Sequence, residues 1–317
     1  MKKTILSIML VAGVFGSWGA YASSSIVNPA MLKLQNEQRA ALIQIYETAF
    51  QKSILSLSKT ERMDYFSSLF LGKPYLGGAL GEGPFGRYDL DPLYRFDVFD
   101  CTTFVETVMA LTQAKSPKQF TAVINDIRYE NGVVDLFKRN HFTSVDWNPN
   151  NEKRGFVKDV TAEVARHRTS YMRTLIAKDN WYIKLAPTML AGVNGTPNIR
   201  MNEIRHTGGR LGQSTVDLPY VDAKVIVEDP SILDHIPSGS VINMVRKNWN
   251  VKAALGTDLD VSHQGVAIRK NGVLILRHAS FKKGSEYVLE VPLLTYIQNN
   301  VRSDTFAGIN ILEILGD

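Results

Sequence analysis

The sequence contains a single cysteine, Cys101, and six histidines. A thiolate is a strong nucleophile, and a neighbouring histidine can accept the thiol proton, so a cysteine and a histidine together can attack an amide carbonyl. The competing interpretation is that Cys101 is a small, inert hydrophobic residue of the core. The residues around Cys101 and the positions of the histidines distinguish a catalytic cysteine from a core residue.

Two of the histidines are predicted to lie on neighbouring strands. Asn271 followed by Gly272 is a strong signal for a two-residue β-hairpin turn, and this turn places His278 opposite Gly265. Side chains alternate between the two faces of a strand, so His263 and His278 share one face as diagonal neighbours, roughly 7–8 Å apart or somewhat less at Cβ. One imidazole can then take the thiol proton while the other orients it.

The cysteine is predicted to lie in the first turn of a helix. Apolar residues recur after Cys101 with helical spacing, and Asp100 or Thr102 can cap the helix. The first turn carries free N–H groups and the positive end of the helix dipole, which both favour a thiolate. Val105 and Val108 share the helix face of Cys101, so the interpretation as a core residue also remains open at this point.

The remaining pattern predicts helices first and antiparallel strands second, which is typical of an α+β architecture. Helical spacing covers residues 28–70 with a break near Ser58, where Ser58 or Thr60 can cap a second helix. A glycine-rich loop follows at 71–83. Strands are predicted at 225–227, 239–245, 265–268 and 273–276, and the mixed segment from about 118 to 217 is predicted to be an insertion.

The first residues are typical of a secretory signal peptide. Lys2 and Lys3 precede an apolar stretch at 5–15, and Ala20-Tyr21-Ala22 forms a small-residue cleavage site, with the cut expected after Ala22. The apolar stretch is shorter than the ~20 residues of a membrane span. We therefore expect an exported protein, periplasmic or secreted, whose residues 23–317 form a single catalytic domain with an N-terminal helical extension at 23–70.

Composition restricts the partners. Hydrophobic residues make up 44% and charged residues 21% of the chain, as in ordinary globular proteins. The formal charge is +5, of which Lys2 and Lys3 supply two, so the mature chain is near +3 and gives no argument for nucleic acid.

In an oxidising compartment cysteines usually occur in pairs, so a single cysteine requires an explanation. The other four histidines lack metal-ligand spacing, and we expect neither metal nor cofactor.

Five segments, in order along the chain, carry a resemblance to a known family. The run from Asp100 to Glu106 resembles the cysteine motif of the NlpC/P60 superfamily, and more closely its branch of N-acetylmuramoyl-L-alanine amidase-like proteins, first described as a domain of unknown function. Residues 72–78 resemble the G-x-P-Y-x-x-G segment, 236–241 the P-x-G-D strand entry with Ser240 in place of aspartate, 262–268 the histidine strand, and 277–280 the third polar position. Residues 140–142 with 146–147 resemble a further motif of the branch.

The resemblance implies a papain-like α+β fold, in which the helix of Cys101 packs on an antiparallel sheet. It implies Cys101 as the nucleophile, His263 as general base and acid, and His278 as the residue that orients His263. Tyr75 matches the tyrosine that helps to hold the oxyanion.

Three weaker candidates for substrate binding are Asp100, His141 and Trp147. Asp100 is explained equally well as a helix cap, and Trp147 as a buried residue with His141 beside it.

The implied activity is hydrolysis of an amide in peptidoglycan or muropeptides by a cysteine amidase or peptidase. The branch points to the bond between N-acetylmuramic acid and L-alanine. The wider superfamily points to the bond between D-glutamate and the diamino acid. A non-catalytic wall-binding module, or an effector hydrolase acting on a foreign wall or a non-murein amide, are further alternatives. The sequence leaves the oligomeric state open.

Overall fold

The computed structural model describes residues 28–190 and 197–316. The predicted signal peptide and its cleavage site lie outside these residues. Two N-terminal helices, α1 (Pro29–Gln51) and α2 (Lys59–Ser68), occupy the predicted helical segment. The Ser58 hydroxyl caps α2 by accepting from the Glu61 backbone N–H, while the Glu61 carboxylate accepts from the Ser58 backbone. The predicted break near Ser58 and its capping role are confirmed.

The next two helices carry the cysteine and support it. α3 (Cys101–Gln113) begins at the cysteine, and α4 (Pro117–Arg128) packs against it. The further helices are α5 (Asn148–Lys153), α6 (Thr161–Ala165), α7 (Lys178–Lys184), α8 (Pro197–Gly208), α9 (Ala223–Glu228), α10 (Lys252–Leu255) and α11 (Leu293–Asn300).

One antiparallel sheet organises the described part of the chain. Its strands are β1 (Val157–Asp159), β2 (Thr169–Ala177), β3 (Gln213–Asp222), β4 (Ser240–Arg246), β5 (Val261–Lys270), β6 (Val273–Ala279), β7 (Val288–Pro292) and β8 (Phe306–Ile314). The order across the sheet is β2-β3-β8-β4-β5-β6-β7, and β1 pairs with β8 beside this path. Helices and an antiparallel sheet together confirm the predicted α+β class.

Apolar side chains cover both faces of the sheet. Helices α1 to α4 pack on the face that carries Val266 and Ile268 of β5. Helices α6, α9 and α11 pack on the opposite face, which carries Ala267 of β5 and Leu276 of β6. The central strands of the sheet are therefore buried between two helical layers, whereas β2 and much of β3 are partly exposed. None of the described helices has the length and apolar character needed to cross a membrane.

One predicted strand is wrong. Residues 225–227 lie in α9, which Asp222 caps by accepting a hydrogen bond from the Lys224 backbone N–H. The run of β-branched residues favours a strand locally, but Ala223 and Ile226 bury themselves three residues apart, on one side of a helix turn. Packing against α11 and β8 thus decides the conformation. The segment 118–217 also adds β1, β2 and the start of β3 to the sheet.

Candidate active site

The hairpin that carries the two histidines has the predicted register. Asn271 and Gly272 adopt positive φ angles of 48° and 82°, as a two-residue hairpin turn requires. Lys270 pairs with Val273, and the pairing continues without a slip to the end of the ladder. Gly265 lies against His278, because a Cβ added to this glycine would come within 2.9 Å of the His278 Cβ.

The two imidazoles are joined by a hydrogen bond. His263 Nε2 lies 2.7 Å from His278 Nδ1, and the rings are nearly perpendicular, at 86°. The other ring nitrogen of His263, Nδ1, is buried and has no hydrogen-bond partner among the described residues. If the His263 proton resides on Nε2, it is donated to His278, and Nδ1 is left as an unoccupied acceptor. That tautomer is the one a general base for a thiol requires.

Both histidines are held neutral. Burial lowers the pKa of His278 to about 4. Burial also lowers the pKa of His263 well below its usual value, and the positive charges of a protonated His278 and of Arg246 lower it further. At neutral pH His263 can therefore accept a proton.

Cys101 is the first residue of α3, and Asp100 is its cap. The Asp100 carboxylate accepts a hydrogen bond of 2.7 Å from the Thr103 N–H, and the Thr103 hydroxyl lies 2.9 Å from the Asp100 nitrogen. The capping interpretation of Asp100 is therefore confirmed. Cys101 is partly exposed, and the Gln264 backbone N–H lies close enough to the sulfur to lower the pKa of the thiol. This N–H belongs to the peptide that follows His263, so the cysteine reaches β5 beside the histidine.

The thiol is protonated in the resting site. Burial raises the pKa of Cys101 to about 12, and the Asp100 carboxylate contributes to the rise. These effects oppose the helix position, which by itself favours the thiolate. A nucleophilic attack by Cys101 consequently needs a base that removes the proton as the new bond forms.

Tyr75 is held beside the cysteine by backbone hydrogen bonds. The Leu76 N–H donates to the Phe99 carbonyl at 2.9 Å, and the Phe99 N–H donates to the Pro74 carbonyl at 3.1 Å. This ladder fixes the tyrosine next to the segment that leads into α3. Burial raises the pKa of Tyr75, and the negative charges of Cys101 and Asp100 raise it further. The phenol is therefore a neutral hydrogen-bond donor.

Three residues near the histidines were not predicted from the sequence. The Phe281 ring centre lies 5.5 Å from that of His263 and 6.1 Å from that of Tyr75. The Tyr296 ring of α11 lies 5.5 Å from the ring of His278. Arg246 stands at the end of β4, and its charge acts on His263. The apolar spacing of 293, 294 and 297 could have predicted α11, but no local signal places Tyr296 or Arg246 in the site.

Of the weaker candidates, Trp147 belongs to the interior, and His141 is partly buried away from the histidine pair. Trp147 is 1% exposed, and its indole N–H donates to the Glu106 carboxylate at 3.2 Å. It therefore cannot form part of an open binding wall. His141 Nε2 lies 3.2 Å from the Leu136 carbonyl, and its ring packs 4.9 Å from the Trp181 ring. Burial lowers the pKa of His141 to about 3, and its hydrogen bond and ring contacts do not include the histidine pair.

Side chains that could bind a metal ion are not clustered in the described part of the chain. Within residues 28–190 and 197–316, no group of three or more histidine, cysteine, aspartate or glutamate side chains is arranged to hold a metal ion.

Comparisons with known proteins place the chain in a family. Residues 65–306 match the model of the AmiA-like family, described as N-acetylmuramoyl-L-alanine amidase-like. This match covers most of the chain, which therefore belongs to the AmiA-like family. No functionally curated protein matches the sequence.

Several solved structures share the fold. A Legionella pneumophila protein assigned to the DUF1460 family is 33% identical, with a TM-score of 0.84 over 90% of this chain and 97% of that one. An N-acetylmuramoyl-L-alanine amidase from Bacteroides uniformis is 24% identical, with a TM-score of 0.59 over 80% and 99%. A candidate xylanase from Bacteroides fragilis is 25% identical, with a TM-score of 0.56 over 78% and 98%.

Proposed function

We propose that this protein is an exported cysteine amidase that cleaves the bond between N-acetylmuramic acid and L-alanine in peptidoglycan or its fragments. The observation that carries the proposal is the hydrogen bond of 2.7 Å between His263 and His278. This bond leaves His263 Nδ1 as a buried, unpartnered acceptor. The backbone N–H of the next residue, Gln264, acts on the pKa of Cys101, the one cysteine of the chain, so the sulfur lies near this part of β5.

The reaction proceeds by acyl transfer. As the Cys101 sulfur bonds to the lactyl carbonyl carbon, its proton moves to His263 Nδ1. The tetrahedral intermediate collapses, the carbon–nitrogen bond breaks, and the amine of L-alanine leaves with the proton from His263. Water then attacks the thioester with His263 as base, and release of the carboxylic acid regenerates the thiol. His278 keeps His263 in the reactive tautomer throughout.

Two donors are available for the oxyanion of the intermediate. The Cys101 backbone N–H lies in the first turn of α3, where no carbonyl of the helix accepts from it. The Tyr75 hydroxyl remains protonated because burial and the nearby acidic groups raise its pKa. Together they can stabilise negative charge as it develops on the carbonyl oxygen.

The packing of α3 on β5 and β6 supports a papain-like arrangement of the NlpC/P60 kind. The predicted signal peptide supports export to the periplasm or beyond, with residues 23–317 as one catalytic domain. Export is tested by expressing the full chain in a Gram-negative host, fractionating the cells and determining the mature N-terminus by mass spectrometry. A first residue of Ser23 supports the predicted cleavage.

The family description favours the bond to L-alanine. The same thiol chemistry would serve a γ-D-glutamyl–diamino acid endopeptidase, which is therefore the second candidate. A wall-binding module without turnover is a weaker alternative, because Cys101, His263 and His278 are all present.

The test is product analysis of defined muropeptides by mass spectrometry. The mature protein is compared with Cys101→Ala and with His167→Ala, an exposed histidine away from the hairpin, as the control. We expect the wild type and the control to release the free sugar and the intact stem peptide, and Cys101→Ala to release neither. A sugar–dipeptide product would identify the endopeptidase instead, and absence of any cleavage would contradict both activities.

A further inference from the structure

A positively charged side chain, Arg246, adjoins the proposed site. The guanidinium of Arg246 is held on three sides: its Nε donates to the Ser262 hydroxyl at 2.7 Å, and its Nη1 donates to the Thr305 hydroxyl at 3.2 Å. The third contact is the Phe306 ring, whose centre lies 5.5 Å from the guanidinium carbon. Because Ser262 immediately precedes His263, this charge is fixed at the edge of the histidine site.

This guanidinium has no acidic partner. Among the described residues no aspartate or glutamate lies within ion-pair distance of Arg246. Four other partly buried arginines, Arg95, Arg168, Arg200 and Arg269, each have an acidic partner. Burial lowers the pKa of Arg246, which means that its charge is incompletely solvated. An uncompensated, partly buried charge is energetically unfavourable. An anionic ligand would supply the negative charge that the protein itself does not place beside the guanidinium.

The charge opens onto a cavity of about 400 Å³. Lys247 and Trp249 also line this cavity, and the described residues include no ion-pair partner for Lys247. The other charged lining groups are compensated. Arg173 pairs with Asp217 at 2.8 Å, and Asp258 pairs with Lys252 at 3.1 Å. The uncompensated charge of the cavity is therefore positive, and it is concentrated where β4 ends.

We propose that Arg246, assisted by Lys247, binds the α-carboxylate of the D-glutamate in the stem peptide. The inference rests on the proposed function and specifies its substrate. D-Glutamate is linked through its γ-carbonyl, so its α-carboxylate is free and lies within one residue of either candidate bond. For the bond between N-acetylmuramic acid and L-alanine, no other carboxylate of the stem peptide lies as close to the scissile amide. A guanidinium binds a carboxylate through two parallel hydrogen bonds, which also fixes the orientation of the peptide.

The test uses two substrates that differ only at this carboxylate. They are the N-acetylmuramyl tripeptide with D-glutamate and its α-amide, with D-isoglutamine. We expect wild-type kcat/KM to be about tenfold to hundredfold higher for the acid, as expected when a hydrogen bond to a charged group is lost. Arg246→Gln should remove this preference, so that its kcat/KM values for the acid and the amide become nearly equal, whatever the change in rate that both substrates share through the pKa of His263. Arg173→Gln removes a compensated charge from the same cavity and should keep the preference.

A purely structural role of Arg246, or one exerted only through the pKa of His263, would slow both substrates equally. That result, or equal rates for the two substrates in the wild type, would overturn the proposal. The wild-type ratio needs no variant, so the test survives if Arg246→Gln does not fold. Arg246→Lys keeps the positive charge but lacks the two parallel N–H donors of the guanidinium, so it should retain part of the preference.

Binding to Cys101→Ala, measured by calorimetry, separates this inference from the proposed function. Turnover of both substrates without preference would contradict the carboxylate site alone. Preferential binding of the acid without turnover by the wild type would contradict the amidase and leave the carboxylate site standing. Absence of both binding and turnover would contradict both.

Discussion

His263 Nε2 and His278 Nδ1 lie 2.7 Å apart on adjacent strands, and this bond fixes which nitrogen of His263 is available for chemistry. His263 Nδ1 is buried and has no hydrogen-bond partner among the described residues. The backbone N–H of the next residue, Gln264, lies near the cysteine sulfur. In the reaction that we propose, His278 acts through the tautomer and orientation of His263 rather than by contact with the substrate.

The roles proposed for the two histidines predict different decreases in kcat when each is substituted. His263→Ala should lower kcat by about 10²–10⁴, the usual contribution of a general base. His278→Asn should retain more activity than His278→Ala, because the asparagine carbonyl can accept from His263 Nε2 where alanine cannot. Steady-state kinetics on a defined muropeptide measure all three. Equal activity of the two His278 variants would contradict the orienting role.

The charge of Asp100 should control the reactivity of the thiol. Asp100→Asn keeps a capping side chain but removes the negative charge that raises the pKa of Cys101. Its thiol should therefore be more ionised near pH 8 and react faster with iodoacetamide. Cys101 is the one cysteine of the chain, so alkylation followed by mass spectrometry reports on this site alone. Asp97→Asn, which removes a charge paired with Arg95, is the control and should leave the rate unchanged.

The absence of a side chain at Gly265 should be required for the histidine pair. A Cβ there would lie 2.7 Å from the Leu276 Cδ1 and 2.9 Å from the His278 Cβ, which are both too close. Gly265→Ala should therefore displace His278 and lower kcat, with a smaller effect on secondary structure. Activity and circular dichroism measured together test this. Full activity of Gly265→Ala would contradict this prediction, because it would show that β5 and β6 can move apart without disturbing the histidine pair.

The support under the cysteine helix depends on a buried ion pair. Glu106 of α3 and Arg128 of α4 are 2.6 Å apart, with side chains 3% and 1% exposed. Glu106→Gln leaves the arginine charge uncompensated and should lower the free energy of unfolding by about 3–5 kcal/mol. Urea denaturation measures this change. Glu37→Gln breaks an exposed pair with Lys33 and should change stability by less than about 0.5 kcal/mol.

The buried histidines should make the fold sensitive to acid. Burial lowers the pKa of His278 to about 4, whereas the unfolded chain has the ordinary value near 6.5. The unfolded state therefore binds more protons between these values, and stability should fall as pH decreases from about 6.5 to 4, by up to about 3 kcal/mol.

Urea denaturation across this range, for the wild type and His278→Gln, measures the effect as a difference. The pKa of Asp89 is raised to about 7, mainly by burial, so its contribution has the opposite sign, but both proteins retain it. A wild type and variant with the same pH dependence would contradict the assignment of the acid sensitivity to His278.

Several features of the site followed from local rules in the sequence. Asp100 before a helical pattern predicted the cap, and the cap sets Cys101 at the first position of α3. Asn271 and Gly272 predicted the hairpin register, and strand alternation then required His263 and His278 to share a face. These inferences succeed because caps and two-residue turns are decided by hydrogen bonds among residues a few positions apart.

Tertiary structure decided the rest. Burial, which depends on elements distant in sequence, keeps the Cys101 thiol protonated although its helix position favours the thiolate. Packing turned residues 225–227 into a helix and placed Trp147 in the core. Tyr296 and Arg246 reach the histidines from α11 and the end of β4. Proximity of this kind is created by the folding of the whole sheet, so no spacing within the sequence encodes it.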